Sequence, residues 1–388
     1  MIFKNCTFFN ENFEKEFGDI EVENGIIKQI GIIDGDGKDM AGTILIPGFV
    51  DVHIHGCAGG DASDADKAGL EKMANELAKH GVTSFCPTSM TLPQKRLEKI
   101  VETISEYKSE NHKGSKIAGI NLEGPYIAMG KKGAQNGDYV RAGSTEEFDA
   151  LWEKSNSLIK LITIAPEAFE SGEFINHAKK YTGVSIGHSQ ANADECNAAI
   201  NCGINHATHL FNAMTPMNHR QAGIVGTVLD DDRVMCELIC DGGHICPTVL
   251  RNAFKILGED RGIAISDSMR GAGLGEGEFE LGGQAVFVKP NGKYAVLEDG
   301  TIAASISNLH TEFKNLIEFG IDFKTALKSI HFPLERQALE SAKRRLVFEE
   351  LFVLQTGLLF LKRRRRALAG CTVKKNLLEE FKMTLSFK

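Results

Sequence analysis

The sequence predicts an α/β protein whose main body is a (β/α)8 barrel. Eight short apolar runs alternate with amphipathic helical patterns from residue 49 onward, and this alternation is typical of a parallel sheet. Polar side chains that can bind metals stand at the ends of several runs, including the first and the last. A doubly wound sheet would keep those two ends apart, whereas a closed barrel collects the carboxyl ends of all its strands at one face.

The eight predicted strands are short runs rich in aliphatic residues: Phe49–His55, Thr83–Ser89, Ile117–Glu123, Leu161–Pro166, Val184–His188, Asn205–Leu210, Met235–Asp241 and Gly262–Asp267. Helical patterns occupy the segments between them. One of these patterns ends at His80-Gly81, and another covers Ala191–Cys202 and stops at Gly203.

A small β domain is predicted over residues 1–48, before the barrel. Ile20–Val22 and Ile26–Ile30 read as antiparallel strands, and Asn24-Gly25 between them is typical of a hairpin turn. The barrel is expected to occupy residues 49–332. One insertion within it, Phe279–Ile302, is predicted to form a hairpin that turns at Pro290–Gly292.

Composition argues against several classes of function. The chain has 388 residues and a formal net charge of −8, which disfavours a nucleic-acid partner. It shows no apolar stretch of the ~18 residues that a membrane span needs, and no signal peptide at its start. Its nine cysteines are scattered without a CxxC pair. We therefore expect reduced thiols, a cytoplasmic protein and no membrane partner.

Several candidate functional side chains stand at the predicted strand ends. Two histidines, two residues apart on the first strand, can point to one side because side chains on a strand alternate faces. Such an imidazole pair suits a divalent transition metal, and a polar pair at a strand end is the alternative explanation. The candidates are His53, His55, Glu123, His188, His209 and Asp267.

These residues and the motifs around them resemble the metal-dependent amidohydrolase superfamily, and within it the N-acetylglucosamine-6-phosphate deacetylase family. The resemblance extends from the N-terminus to about residue 332. Its motifs are PGFVDVHIHG, GVTSFCPTS, NLEGPYI, KKGAQN, IGHSQA, ATHLFNAM, CDGGHI and the aspartate of ISDSM. The resemblance implies hydrolysis of N-acetylglucosamine 6-phosphate to glucosamine 6-phosphate and acetate.

The resemblance also implies a metal centre. Glu123, His188 and His209 would hold the principal divalent ion. His53 and His55 match the form of the family that builds a second site, with Glu123 as the bridge, so one or two ions per subunit are both compatible. Zinc is the expected ion, with iron or manganese as alternatives.

The remaining implied roles concern catalysis and substrate. Asp267 would act as the general acid/base that takes a proton from water and returns it to the amine. Gln135 occupies the place where many members carry a histidine that polarises the acetyl carbonyl, and it offers an uncharged amide donor instead. The implied sugar and phosphate contacts are Asn212, Ala213, Arg220 and His244. Because the family shares phosphate contacts between subunits, a homodimer is also implied.

The resemblance stops at residues 333–388. In the family, the chain returns here as strands that complete a β-sandwich with the N-terminal strands, whereas this segment contains the basic run Lys362–Arg366. Such a run can mark a nucleic-acid patch, but its position favours a shifted reading frame. We therefore expect an atypical tail, open sheet edges in the small domain and low solubility.

Two other functions compete with deacetylation of the phosphosugar. The first is an amidohydrolase that acts on another N-acyl or cyclic amide substrate. The second is a catalytically silent barrel that serves as a binding protein, and this would be indicated by loss of the metal ligands.

Overall fold

The computed structural model describes residues 1–10, 13–110 and 112–331. The predicted tail at 333–388, with its proposed frameshift and the missing sandwich strands, lies outside this range. Among the described helices, none combines the length and the apolar character that crossing a membrane requires.

The predicted parallel barrel is confirmed. Its strands, which we number first to eighth in chain order, are Phe49–Ile54, Val82–Ser89, Ile120–Glu123, Ile159–Ile164, Gly183–Ile186, His206–Ala207, Met235–Ile239 and Gly262–Ile265. Each pairs in parallel with the next along the chain, and a two-residue strand, Lys116–Ile117, adds to the second.

The barrel closes between the eighth and the first strand. The backbone N–H of Asp267 donates a hydrogen bond to the carbonyl of His53 at 2.9 Å, and the N–H of His55 donates to the carbonyl of Ser268 at 3.0 Å. A doubly wound sheet would not pair its first strand with its last. The closure therefore excludes that alternative and brings the ends of the first and the eighth strand together.

Helices cover the outside of the barrel. Their bounds are Lys67–Lys79, Gln94–Ser109, Thr145–Lys154, Glu173–Ala178, Ala193–Cys202, Gly223–Asp230, Pro247–Leu257, Leu309–Glu318 and Phe323–Ser329. Short 3₁₀ turns are Ala62–Asp64, Met129–Lys131, Gly137–Tyr139 and Pro166–Ala168. The main hydrophobic core joins helix residues such as Leu70 and Ile100 to strand residues such as Phe85 and Ile162.

Local capping explains where one predicted helix begins. The pattern predicts a helix from Ala191, but the structure starts it at Ala193. The Asn192 side chain accepts hydrogen bonds from the N–H groups of Asp194 and Glu195, and the Glu195 carboxylate accepts from the Asn192 N–H. This reciprocal capping box sets the start of the helix.

The N-terminal residues form a five-stranded sheet that contains the predicted antiparallel pair. Its strands are Ile2–Phe9, Lys15–Glu23, Ile26–Gly31, Lys38–Asp39 and Ile44–Leu45. Asn24 and Gly25 connect the second and third of these with φ values of 52° and 77°, a left-handed pair that matches the predicted hairpin turn. The domain boundary between residues 48 and 49 stays a prediction.

The insertion after the eighth strand is larger than the predicted hairpin. It is a four-stranded antiparallel sheet of Gly277–Leu281, Gln284–Val288, Tyr294–Val296 and Ile302–Ser305. The predicted turn is present, because the N–H of Gly292 donates to the carbonyl of Lys289 at 2.9 Å. The sequence analysis missed two strands of this sheet. A further turn at Gly282-Gly283, with φ values of 58° and 84°, adds the first strand, and a turn in which the N–H of Gly300 donates to the carbonyl of Leu297 at 3.0 Å adds the fourth. A short hairpin, Gly56–Cys57 with Gly60–Asp61, follows the first barrel strand.

Candidate active site

The predicted functional residues meet at the carboxyl ends of the barrel strands. Two are at the end of the first strand, one is the last residue of the third, and the others each follow their strand by two residues. In chain order they are His53, His55, Glu123, His188, His209 and Asp267. The barrel thus assembles residues that are up to about two hundred positions apart in the chain.

Three of these residues adopt a left-handed backbone conformation. The φ values are 48° at His188, 31° at His209 and 45° at Asp267. Non-glycine residues seldom adopt this conformation, because it brings Cβ close to the backbone. Its repetition at three strand ends marks a functional site, where local strain serves to direct side chains.

The first group of possible metal ligands consists of Glu123, His188 and His209. Glu123 Oε1 lies 3.1 Å from His188 Nε2 and 2.9 Å from His209 Nε2, and the two Nε2 atoms are 3.1 Å apart. All three residues are buried. A carboxylate oxygen and two imidazole nitrogens that converge in this way form a donor set suited to a divalent transition metal.

The second group consists of His53, His55 and again Glu123. His55 Nε2 lies 3.3 Å from Glu123 Oε2, and His53 Nε2 lies 3.6 Å from Glu123 Oε1. Asp267 Oδ1 is 3.5 Å from His53 Nε2 and 3.3 Å from His55 Nε2. Glu123 therefore belongs to both groups and lies between them.

Hydrogen bonds at the Nδ1 atoms orient these histidines so that their Nε2 atoms can bind a metal. His55 Nδ1 is 3.2 Å from the Thr88 carbonyl, and His188 Nδ1 is 2.8 Å from the Lys131 carbonyl. A carbonyl accepts only, so each Nδ1 carries the hydrogen, and in the neutral ring each Nε2 keeps the lone pair that a metal needs. His53 Nε2 is buried among the described residues without a hydrogen-bond partner, as a ligand atom awaiting a cation would be.

The electrostatics of the site also favour a cation. Burial raises the pKa of Glu123, but the nearby imidazoles, His188 first, hold it well below its usual range. Burial lowers the pKa of His53, but the carboxylates of Glu237 and Asp267 raise it to about 9. Protons on the imidazoles thus balance buried negative charge, and a divalent cation can replace them.

Gln135 lies beside Glu123. Its Oε1 accepts a hydrogen bond from the backbone N–H of Thr91 at 2.6 Å, which identifies the other amide atom as the nitrogen. That nitrogen donates to Glu123 Oε2. Gln135 is buried and lines the cavity described next, so its amide group is fixed in orientation at the predicted place.

His55, Glu123, His188 and His209 line a cavity of about 410 Å³, a size suited to a small metabolite. Most of the predicted substrate contacts line it, namely Gln135, Asn212, Ala213 and His244. Arg220 is exposed and is not part of this lining. The insertion sheet contributes Thr301, Ile302 and Ala303, which the sequence analysis did not anticipate.

His244 is held firmly at the wall of the cavity. Its Nδ1 is 2.7 Å from Asp241 Oδ2, and Asp241 Oδ1 accepts from the N–H groups of Gly243 and His244 at 2.7 and 2.8 Å. Tyr294 of the insertion sheet packs edge-on against the ring, with centroids 5.5 Å apart. Nε2 is the polar atom of the ring that remains for a ligand.

Comparison with known proteins agrees with this geometry. The sequence profile described as Amidohydrolase family matches residues 44–273, which is more than half of the chain. The chain belongs to the amidohydrolase family.

Curated relatives and solved structures show which members of this family the chain is similar to. The N-acetylglucosamine-6-phosphate deacetylase of Bacillus subtilis (strain 168) is 36% identical over 322 residues, which cover 77% of this amidohydrolase and 81% of that protein. The N-acetylgalactosamine-6-phosphate deacetylase of Escherichia coli O157:H7 is 30% identical over 300 residues, with coverages of 77% and 79%. The crystal structure of N-acetylglucosamine-6-phosphate deacetylase from Thermotoga maritima is 30% identical, covers 90% and 92% of the two chains, and superposes with a TM-score of 0.78.

One buried acid of this amidohydrolase was missed by the sequence analysis. Glu237 Oε2 lies 2.9 Å from His53 Nδ1 and accepts from the backbone N–H of His209 at 3.1 Å, while its Oε1 lies 3.0 Å from His206 Nε2. Burial raises its pKa, but the charge of His53 and the hydrogen bond from His206 hold it well below its usual range. The available signal was a single carboxylate in the apolar strand Met235–Ile239, since a buried charge needs partners.

Proposed function

We propose that this amidohydrolase removes the acetyl group of N-acetylglucosamine 6-phosphate and releases glucosamine 6-phosphate and acetate. The observation that carries the proposal is that two buried histidine pairs share Glu123, with Asp267 beside them, at a cavity of about 410 Å³. Relatives named as deacetylases of acetylamino-sugar phosphates support the substrate class.

The proposed metal centre uses the two groups that share Glu123. His188 and His209 would hold the principal ion with Glu123, and His53 and His55 would hold a second one. Their imidazole and carboxylate donors suit zinc, with iron or manganese as the alternatives. What a divalent ion supplies here is positive charge that polarises the acetyl carbonyl and makes water acidic enough to attack near neutral pH.

Asp267 is the proposed general acid/base. Both of its close contacts with the imidazoles of His53 and His55 use Oδ1, and its carboxylate lines the cavity. It would take the proton of the attacking water and then return that proton to the amine, without which the C–N bond does not break. Burial raises the pKa of Asp267, but the charge of His53 and the hydrogen bond from His55 lower it below its usual range, so the carboxylate is ionised when water arrives.

Gln135 is the proposed donor to the acetyl oxygen. The Thr91 N–H fixes its amide in one orientation, so one N–H hydrogen points to Glu123 and the second is left for the carbonyl of the substrate. A fixed dipole directed at developing negative charge stabilises it without reorganisation. The same contact would position the acetyl group.

The proposed substrate contacts extend from the metal centre to the phosphate. Asn212 and Ala213 would position the sugar ring, and His244 would bind the 6-phosphate through Nε2. Arg220 is exposed and does not line the cavity of the subunit to which it belongs. This placement supports the proposal that it completes the phosphate site of a neighbouring subunit in a homodimer.

The cytoplasmic location is likewise a proposal. It is supported by the free state of all eight cysteines in the described part of the chain, because reduced thiols are typical of proteins from reducing compartments.

The decisive experiment compares substrates that differ in one group. We expect acetate release from N-acetylglucosamine 6-phosphate with a kcat/KM about 10²-fold above that for N-acetylglucosamine, since charge-assisted contacts to the phosphate are lost in the latter. N-Acetylgalactosamine 6-phosphate tests the sugar, because an E. coli relative carries that name. His244→Asn should lower kcat/KM for the phosphorylated sugar and leave that for the plain sugar almost unchanged.

The same assay separates the competing functions. Equal rates with and without the phosphate, or faster hydrolysis of an N-acyl amino acid, would favour an amidohydrolase with another substrate. A protein that binds the sugar phosphate without releasing acetate, even when loaded with metal, would be the silent binding barrel. The intact ligand groups argue against that outcome.

A further inference from the structure

We propose that Glu237 is a positioning residue that sets the affinity of the second metal site, the one formed by His53, His55 and Glu123. This inference rests on the metal centre proposed above. Glu237 is fully buried in the seventh barrel strand and is not part of the cavity lining. It therefore acts through other residues and touches neither substrate nor water in the cavity.

The first step of the argument is the orientation of His53. Glu237 Oε2 lies 2.9 Å from His53 Nδ1, and an ionised carboxylate can only accept a hydrogen bond. Nδ1 therefore holds the hydrogen, and in the neutral ring Nε2 keeps the lone pair. That Nε2 atom faces Glu123 Oε1 at 3.6 Å and Asp267 Oδ1 at 3.5 Å, which places it where a ligand of the second ion is needed.

The second step is that His53 differs from the other ligand histidines. The Nδ1 atoms of His55 and His188 pair with backbone carbonyls, those of Thr88 and Lys131. The partner of His53 is a full negative charge, and a carboxylate makes an imidazole a stronger ligand than a carbonyl does. Loss of that charge should therefore weaken the second site selectively.

The third step is that Glu237 is itself held in place. Its Oε1 lies 3.0 Å from His206 Nε2, and its Oε2 also accepts from the backbone N–H of His209 at 3.1 Å. These contacts prevent the carboxylate from turning away from His53. In Glu237→Gln the amide oxygen can still accept from the His209 N–H, so His209 should keep its position and the principal ion should remain bound when the charge is removed.

Charge balance points the same way. Glu123, Asp267 and Glu237 place three carboxylates around the two groups of ligands. A second divalent ion in a buried site requires that much compensation, because unbalanced charge is costly away from water. Without Glu237, only Glu123 and Asp267 would balance the charge of two divalent ions.

The test is Glu237→Gln, which keeps the shape of the side chain and removes its charge. Metal-free protein is titrated with Zn²⁺ by calorimetry, and the ions retained after dialysis are counted by elemental analysis. We expect two ions in the parent protein, and in the variant an unchanged principal site and a second site weakened by about 10- to 100-fold.

The matched control is Glu312→Gln. Glu312 is also a fully buried glutamate, in the helix Leu309–Glu318, and burial raises its pKa well above the usual value. Burial thus favours its neutral form, and an amide should replace it with no change in either metal affinity. Glu237→Asp keeps the charge on a shorter side chain, and we expect a second-site affinity between those of the parent and the glutamine variant.

The outcomes distinguish a failure of the role of Glu237 from a failure of the proposed metal centre. Two ions bound with parental affinity in Glu237→Gln would overturn the inference and leave the proposed metal centre standing. Should that variant fail to fold, Glu237→Asp is titrated instead. Its shorter side chain moves the charge away from His53 Nδ1, so a parental affinity of the second site in that variant would also contradict the inference. A parent protein with a single ion also refutes the role of Glu237, whereas a parent protein with none refutes the metal centre itself.

Discussion

Asp267→Asn tests the proposed mechanism most directly. The substitution keeps the size of the side chain and an oxygen that can face His53 and His55, which now lie 3.5 and 3.3 Å from Asp267 Oδ1. It removes the ability to take a proton. We therefore expect the variant to fold and to bind metal while losing most of its turnover.

The size of the loss follows from the lack of a substitute base. Glu123 and Asp267 are the carboxylates that line the cavity in the described part of the chain. The oxygens of Glu123 already contact His188, His209 and Gln135, so Glu123 cannot take over. A general base contributes about 10²- to 10⁴-fold, and we expect a loss beyond ~10²-fold in kcat, or about 3 kcal/mol or more in activation free energy.

The assay measures acetate release under saturating substrate, together with metal content and the thermal melting curve. Asp66→Asn is the matched control, because Asp66 caps the helix Lys67–Lys79, and asparagine caps a helix equally well. Parental activity is expected there. The parent protein should also lose kcat/KM at acidic pH as Asp267 is protonated. The variant should lack this acidic limb.

Two results would refute the reasoning. Activity of Asp267→Asn within a few-fold of the parent would remove Asp267 from the proton transfers. An acidic limb that persists unchanged in the variant would assign that titration to another group.

Three further predictions concern the site. His188→Ala or His209→Ala should abolish metal binding and turnover, whereas the double change His53→Ala with His55→Ala should remove only the second ion; elemental analysis that finds no metal in the double variant would contradict this. Gln135→Leu should lower kcat by about 10²-fold with metal retained, and an unchanged kcat would exclude it as a donor. Metal-free protein should melt at lower temperature as pH rises. The pKa of His53, about 9 in the folded protein, exceeds its ordinary value of 6.5. Protonated His53 therefore stabilises the folded protein fully below pH 6.5, and this stabilisation is lost as the pH rises towards 9. Melting curves that rise over this window would contradict the prediction.

Much of the barrel could be predicted because its signals are local. An apolar run of four to eight residues followed by a polar residue indicates a buried strand that ends at the barrel face, and all eight predicted strands are present. Their ends are less predictable. The sixth strand was predicted as Asn205–Leu210 but covers His206–Ala207, because His209 adopts a φ of 31° and cannot continue a ladder.

Glu237 could not be predicted as a site residue because all of its contacts there are with residues distant in the sequence. In the sequence it is one carboxylate in an apolar run, 184 residues from His53 and 31 residues from His206. Only the closed barrel brings those imidazoles within hydrogen-bond distance of it. The insertion sheet was underestimated for a different reason, since the Gly282-Gly283 turn leaves little periodicity from which to recognise a further strand.

The left-handed backbone at the strand ends links stability to function. A non-glycine residue in this conformation costs on the order of 1–3 kcal/mol, and His188, His209 and Asp267 each carry that cost. Hydrogen bonds from their surroundings hold two of them: the His209 N–H donates to Glu237, and the Asp267 N–H donates to the carbonyl of His53. The second bond also closes the barrel. The strained backbone that directs the proposed acid/base into the cavity is thus held by the same hydrogen bond that joins the first and eighth strands. Closure of the barrel therefore also orients Asp267.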